Sequence, residues 1–254
     1  MAELLLLGTG AALTVDGSRE PTMLALRGQK STVLIDCGSN PIRQLQRMQV
    51  PLDSIERLIL THSHPDHISG FGLLVTMLWL HGLAHHRALP IHGPADAIDV
   101  ARRLFAQWDT SEWKGMLELE WHEVTLSVGA PIATGPDFEL TAAPGVHLVP
   151  VIGVRARDLH GGGVVVYSGD GEPSPDIRAL AQGADCLVHE ATGAFPGHST
   201  AEAAAELARA AGARRLILVH LAASFADLDA QRRTAEQVFG GQVWLGRDLD
   251  RYKF

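Results

Sequence analysis

Three histidines and an aspartate fall within six residues in His62-Ser63-His64-Pro65-Asp66-His67. His62 and His64 are two apart, so in extended backbone leaving a strand they project to the same side. Asp66 and His67 open the following helix and face back toward them. Such a hairpin can hold two metal ions at once. Neutral imidazole suits zinc and other borderline metals, and a carboxylate among imidazoles points to a catalytic site with an open position rather than a closed structural one. The plainer reading is a solvated histidine cluster in a surface loop. It is disfavoured because the hairpin directly follows the buried run Leu58-Ile59-Leu60 and has partners downstream. His147 starts a strand-like run, Asp170 sits in Ser168-Gly169-Asp170-Gly171 just past Val164–Ser168, and His220 ends Leu216–Val219. Singly each would be assigned to structure or surface. Together, and in this order, they read as a metal centre.

Two further motifs pair a carboxylate with a histidine: His189-Glu190-Ala191-Thr192 and His198-Ser199-Thr200-Ala201. Ser199 or Thr200 also suits the N-cap of the alanine-rich helix that follows. A capping loop is a rigid place from which to aim a histidine, so the two roles are compatible.

On these residues the sequence resembles the metallo-β-lactamase superfamily, whose motifs run Asp, His-x-His-x-Asp-His, His, Asp and His. The matching positions are Asp36, His62, His64, Asp66, His67, His147, Asp170 and His220. The resemblance implies that His62, His64 and His147 bind one metal and that Asp66, His67 and His220 bind the other. Asp170 would bridge the pair, and Asp36 would orient the histidine loop from behind. The downstream motifs look like those of the ribonuclease Z group and its arylsulfatase-like and phosphodiesterase-like relatives. That likeness implies that His198 faces the metals and is oriented by Glu190. The implied activity is dinuclear-metal-dependent hydrolysis of phosphodiester-type substrates, with Asp66 holding the nucleophile's proton and His198 protonating the leaving oxygen. The implied cofactors are two divalent ions, zinc first, with manganese or iron as alternatives. A homodimer is implied by the same likeness. The competing functions are arylsulfatase or lactonase action on small esters, and a metal-holding scaffold without turnover.

In two places the chain departs from the ribonuclease Z pattern. Only 23 positions separate His147 from Asp170, which leaves no room for a long tRNA-gripping arm. The segment Ala11–Pro21 lacks a Pro-x-Lys-x-Arg loop, and Arg19 is its only basic residue. The net charge of −8 supplies no broad basic field for a polyanion. These features place a small-molecule ester ahead of tRNA as the partner.

The elements that must position these residues are legible as short apolar runs. Leu4–Leu7, Met23–Leu26, Thr32–Ile35 and Leu58–Leu60 read as strands, Pro41–Val50 as a helix, and Asp66 onward as one apolar helix. Ala95–Trp108 reads as an amphipathic helix. Strands are expected at Trp121–Leu126, Phe138–Ala142, His147–Val154, Val164–Ser168, Cys186–Val188, Leu216–Val219 and, closing the chain, Val243–Leu245. Helices are expected at Asp176–Gln182, Thr200–Ala211 and Asp227–Phe239. Arg57-Leu58-Ile59-Leu60-Thr61-His62 echoes Arg215-Leu216-Ile217-Leu218-Val219-His220, each a buried strand ending on a histidine. Two similar αβ halves of this kind make one domain over residues 1–254, an α/β four-layer αβ/βα sandwich with strand ends meeting at one edge.

Composition agrees with a folding, soluble chain: 254 residues, 46% hydrophobic and 20% charged. Cys37 and Cys186 cannot make a disulfide framework, and the N-terminus lacks the basic region of a signal peptide, so a cytoplasmic location without a membrane is expected. His81, His85 and His86 read as helix-end residues, His92 as structural, and His160 as a rim residue in a glycine-rich turn. Trp79, Trp108, Trp113 and Trp121 suit either core or pocket wall.

Overall fold

The computed structural model describes residues 2–12, 14–81, 88–224 and 227–254. His85 and His86 lie outside the described residues. The first half runs β1 (Glu3–Gly8), β2 (Met23–Arg27), β3 (Thr32–Ile35), α1 (Pro41–Arg47), β4 (Ile55–Ile59), α2 (Pro65–Ile68), α3 (Phe71–Leu80), β5 (Ala88–Gly93), α4 (Ala95–Phe105) and β6 (Glu118–Glu123). The second runs β7 (Ala130–Thr134), β8 (Phe138–Pro144), β9 (Ile152–Asp158), β10 (Val164–Tyr167), α5 (Pro175–Leu180), β11 (Cys186–Glu190), α6 (Ala201–Ala210), β12 (Leu216–Val219), α7 (Leu228–Phe239), β13 (Val243–Leu245) and β14 (Arg251–Lys253).

These strands form two seven-stranded sheets, ordered β14-β1-β2-β3-β4-β5-β6 and β13-β12-β11-β10-β9-β8-β7. Each is antiparallel on one side and parallel on the other: β3 to β6 run parallel, as do β10 to β13. Of the parallel strands, β3, β10 and β12 are buried along their whole length and read as near-continuous apolar runs, whereas the edge strand β6 is polar and partly exposed. Side chains still alternate between two cores. Leu34 and Leu58 join α1, α3 and α4 on one outer face, while Ile35 and Ile59 face the other sheet. In the second sheet Val165 and Ile217 face inward, and Val166 and Leu218 pack outward under α5, α6 and α7. Helix, sheet, sheet and helix layers result, the expected metallo-β-lactamase fold.

The sheets are joined at the edge where the parallel strands end. Ile152 N donates to Thr61 O at 3.1 Å, and Leu221 N donates to Thr9 O at 3.0 Å. That edge carries the chemistry.

The structure corrects several local expectations. Helix from Asp66 onward is two helices, α2 and α3, broken at Ser69-Gly70. The break comes from a clasp with the loop after β3: Cys37 N donates to His67 O at 2.8 Å and Gly70 N donates to Cys37 O at 2.7 Å. The approach is so close that a Cβ on Gly70 would lie 1.6 Å from Ser39 O. His147 does not start a strand, because β9 begins only at Ile152 and His147 rides the connection from β8. Strands β5, β7 and β14 are additional. β14, not β13, closes the chain and pairs with β1, so the first sheet draws on both chain ends. Among the described residues no helix is long and apolar enough to cross a membrane.

Gly70→Ala should lower unfolding stability by at least about 2 kcal/mol, because the methyl overpacks a backbone contact that cannot retreat. Urea denaturation checks this, and an unchanged midpoint would mean the clasp is pliable.

Candidate metal centre

The ligand-type residues sit on loops leaving the strand ends, the position from which open αβ sheets present their sites. Asp36 follows β3, His62 and His64 follow β4, Asp170 follows β10, Glu190 ends β11 and His220 follows β12. Asp36 and His220 both adopt left-handed backbone, with φ of 62° and 52°. That conformation costs a non-glycine residue free energy, and the surrounding bonds must hold it. Leu221 N to Thr9 O fixes the chain beyond His220, and Asp36 N donates to Ile59 O at 2.8 Å.

The structure brings all seven expected ligands together. His62, His64 and His147 place one ligand atom each within 4.8 Å of one another, as do Asp66, His67 and His220. Asp170 lies between the two groups. Its Oδ2 is 3.1 Å from His220 Nε2, 3.4 Å from His67 Nε2 and 3.9 Å from His62 Nε2. His64 Nδ1 and His147 Nε2 are 3.0 Å apart, and His220 Nε2 is 3.2 Å from Asp66 Oδ2.

Two buried carboxylates hold the rings from behind in the same way. Asp36 Oδ2 accepts from His67 Nδ1 at 2.8 Å and from Thr61 Oγ1 at 2.8 Å, and Thr61 Oγ1 lies 3.1 Å from His62 Nδ1. Glu190 Oε1 accepts from His198 Nδ1 at 3.1 Å, while Glu190 Oε2 accepts from Thr192 Oγ1 at 2.8 Å. Thr192 Oγ1 in turn lies 2.6 Å from His220 Nδ1. Because each threonine spends its proton on the carboxylate, its oxygen must accept from the ring. His147 Nδ1 completes the pattern by donating to Gly197 O at 2.6 Å. These partners assign the Nδ1–H tautomer to His62, His67, His147 and His220, leaving Nε2 lone pairs for a cation.

The free nitrogens have no other purpose in the fold. Buried His62 Nε2, His67 Nε2 and Asp170 Oδ1 lack any hydrogen-bond partner, which is costly in an interior unless a ligand fills the gap. The donor set therefore fits metal ions. Burial pulls the His62 imidazole well below its ordinary pKa, and burial with the neighbouring His147 lowers that of His64, so both rest in the neutral, ligating form. Burial alone would raise the Asp66 and Asp170 carboxyls, but His220 and His67 outweigh it and hold both well down. For His198 burial pulls downward, yet the Glu190 hydrogen bond and charge win and raise its pKa.

Sequence reasoning missed Thr61, Thr192 and Gly197 as supports. Thr192 stood inside a quoted motif, but nothing in spacing shows that its hydroxyl reaches His220, 28 residues away. His160 is not a rim residue of this site. It lies at the opposite end of β10, with Nε2 3.0 Å from Asp137 Oδ1. His92 is buried and stacks on His122, and burial beside Arg57 lowers its pKa to about 4. Trp79 and Trp113 stack at 4.5 Å against the first outer core and Trp121 packs beside it, so none of the three lines the site cavity. Trp108 covers Gly72. Arg19 is turned inward, its guanidinium on Thr9 Oγ1 at 2.6 Å. Burial raises the Cys37 thiol and pushes Cys186 up to about 12, so neither is reactive.

A cavity of about 290 Å³ opens over the centre, lined by His64, Asp66, Asp170, His198 and His220. Residues 31–221 match the family model described as the beta-lactamase superfamily domain. The chain belongs to the β-lactamase superfamily. Within it, the chain is 32% identical to a Ribonuclease Z of Salinibacter ruber, covering 97% of this chain and 92% of that protein. It is 31% identical to a Ribonuclease Z of Mycolicibacterium gilvum, covering 99% and 96%. The metallo-β-lactamase fold protein YhfI of Bacillus subtilis superposes with a TM-score of 0.80 at 25% identity, covering 99% of this chain and 98% of that one. The superfamily fold and the ribonuclease Z likeness expected from the motifs are thus present. The expectation against tRNA finds no support in relatives named for ribonuclease activity.

Asp36→Asn removes the shared acceptor behind His62 and His67 and should weaken zinc binding about 10–100-fold. Titration against a chromophoric chelator measures this; wild-type affinity would show that ring orientation does not depend on Asp36.

Proposed function

We propose that the protein is a metal-dependent hydrolase that cleaves phosphodiesters, a ribonuclease Z-like enzyme of its superfamily. The observation that carries this reading is the double triad with Asp170 between its halves and the Glu190-held His198 beside it. In this reading His62, His64 and His147 would hold one divalent ion and Asp66, His67 and His220 the second, with Asp170 available to both. Zinc suits so imidazole-rich a set, with manganese and iron as alternatives. When bound, such ions lower the pKa of water and withdraw charge from a phosphoryl oxygen.

The chain's own groups supply the rest. Asp66, held ionised by its histidine neighbours, is placed to take the proton of the attacking water. His198 engages Glu190 through Nδ1, which leaves Nε2 as the nitrogen that carries a proton to the departing oxygen. Its raised pKa keeps that proton available near neutrality. Glu190 is a positioning residue. It accepts from Gly171 N, Thr192 N, Thr192 Oγ1, Ser199 N and His198 Nδ1, so the His198 ring is aimed by a fully bonded, immobile carboxylate. Both RNA 3′ ends and small diesters are substrates for this chemistry. We take residues 1–254 as one domain, supported by β14 returning to β1, and a cytoplasmic homodimer as its working form.

Zinc-loaded protein assayed on bis(p-nitrophenyl) phosphate, precursor tRNA, an aryl sulfate and a lactone tests the reading. Release from at least one phosphodiester is expected, and activity on none of the four would leave a metal-holding scaffold. His64→Ala should lose metal and activity together, and two metals per chain retained in that variant would defeat its ligand role. His198→Ala should keep both metals and slow turnover roughly 10²–10⁴-fold; a wild-type rate would remove the acid assignment.

A further inference from the structure

Large apolar side chains that remain in water on a rigid scaffold need an explanation. Two line the cavity over the metal centre: Phe195, 48% exposed, and Leu148, 68% exposed. Val146, 50% exposed, lies two residues before Leu148. Pro196, Ala11 and Ala12 extend the same apolar wall. Among the described residues lining this cavity there is no lysine or arginine.

The exposure of Phe195 is not slack in a loose loop. Gly193 N donates to Ser199 O at 3.0 Å, His198 N donates to Phe195 O at 3.0 Å, and Gly197 N donates to Glu172 Oε1 at 3.0 Å. Gly197 O takes the His147 Nδ1 hydrogen bond, and Gly197 has a left-handed φ of 76° that brings it against both His147 and Leu148. The segment bearing the phenyl ring is therefore closed on itself by the Gly193–Ser199 bond and tied, beyond Phe195, to both the candidate metal ligand His147 and His198. Phe195 is presented beside the reaction centre in a preset position, so an incoming ring would meet it without an ordering cost.

We infer that Phe195, with Leu148 and Pro196, forms a subsite for a flat, uncharged ring carried on the phosphoryl group held at the metals. The inference rests on the phosphodiesterase reading and narrows it to diesters with one aromatic substituent, either an aryl group or a nucleobase. The metals and His198 engage the phosphoryl end and the apolar wall takes the ring. A second phosphate beside the apolar wall would find no lysine or arginine among the described lining residues, so that wall selects a ring over a further anion.

Phosphonates test this without turnover, since their carbon–phosphorus bond is not an ester. Calorimetric titration of zinc-loaded protein with phenylphosphonate and methylphosphonate isolates the ring, and adenosine monophosphate tests the nucleobase. Phenylphosphonate should bind about tenfold or more tightly than methylphosphonate, in line with the worth of one aromatic stacking contact. Phe195→Ala should shrink that ratio to within about twofold, and Phe195→Tyr should keep it. A nucleobase subsite gives adenosine monophosphate the same advantage over methylphosphonate, lost in Phe195→Ala; an aryl subsite gives it to phenylphosphonate alone. Equal affinity for the two phosphonates, no phosphonate binding, or a ratio that survives Phe195→Ala would overturn the subsite. Ring selectivity without hydrolysis of any diester would overturn the hydrolase reading and leave the subsite standing.

Discussion

A buried imidazole can offer one nitrogen to a cation only if the other is held, since a ring free to turn would present a proton as readily as a lone pair. Four histidines of this centre, His62, His67, His147 and His220, meet that condition through Nδ1. Two carboxylates and one backbone carbonyl do the holding, with Thr61 and Thr192 as relays. Asp36 serves one ring from each triad, so a single side chain sets the orientation toward both halves of the centre. Glu190 serves His198 directly and His220 through Thr192, tying a candidate ligand to the proposed proton donor. Both carboxylates are fully buried, and their hydrogen bonds offset the desolvation that would otherwise make such positions prohibitive.

The fold exists, from this viewpoint, to bring the ends of two parallel strand sets to one edge. Parallel strands carry all their exit loops on the same side, so two such sheets packed face to face place eight or so functional side chains within reach without long loops. The strain in left-handed Asp36 and His220 is paid at this edge and nowhere regular in the sheets. The clasp between residues 36–39 and 67–70 belongs to the same economy. It breaks what would have been one helix and thereby turns His67 back onto Asp36.

The cavity combines a hard ionic floor with apolar walls. Charge there comes from carboxylates and imidazoles, while Phe195, Leu148 and Pro196 are oily. A substrate that satisfies both must have a compact anionic head and an uncharged flank. The alignment with the Salinibacter protein spans 300 positions against 254 residues here, so that relative has segments without counterpart in this chain.

The sequence by itself singled out the candidate ligands, since His62, His64, Asp66 and His67 fall within six residues after an apolar run, and His147, Asp170 and His220 complete the order of a metallo-β-lactamase resemblance. It also pointed to the two-sheet architecture, because Arg57–His62 echoes Arg215–His220, a buried strand ending on a histidine in each half. Local pattern failed where the deciding contact was distant: Ser69-Gly70 ends a helix because of the clasp with Cys37, β14 is a strand because it pairs with β1, and His147 lies in a loop that brings it to His64. Only the tertiary structure decided which nitrogen of each ring is free, which threonine links a ring to a carboxylate, and that Phe195 stands beside the centre rather than in a core. Those are facts of three-dimensional hydrogen bonding and packing among residues tens to hundreds of positions apart, and no period along the chain encodes them.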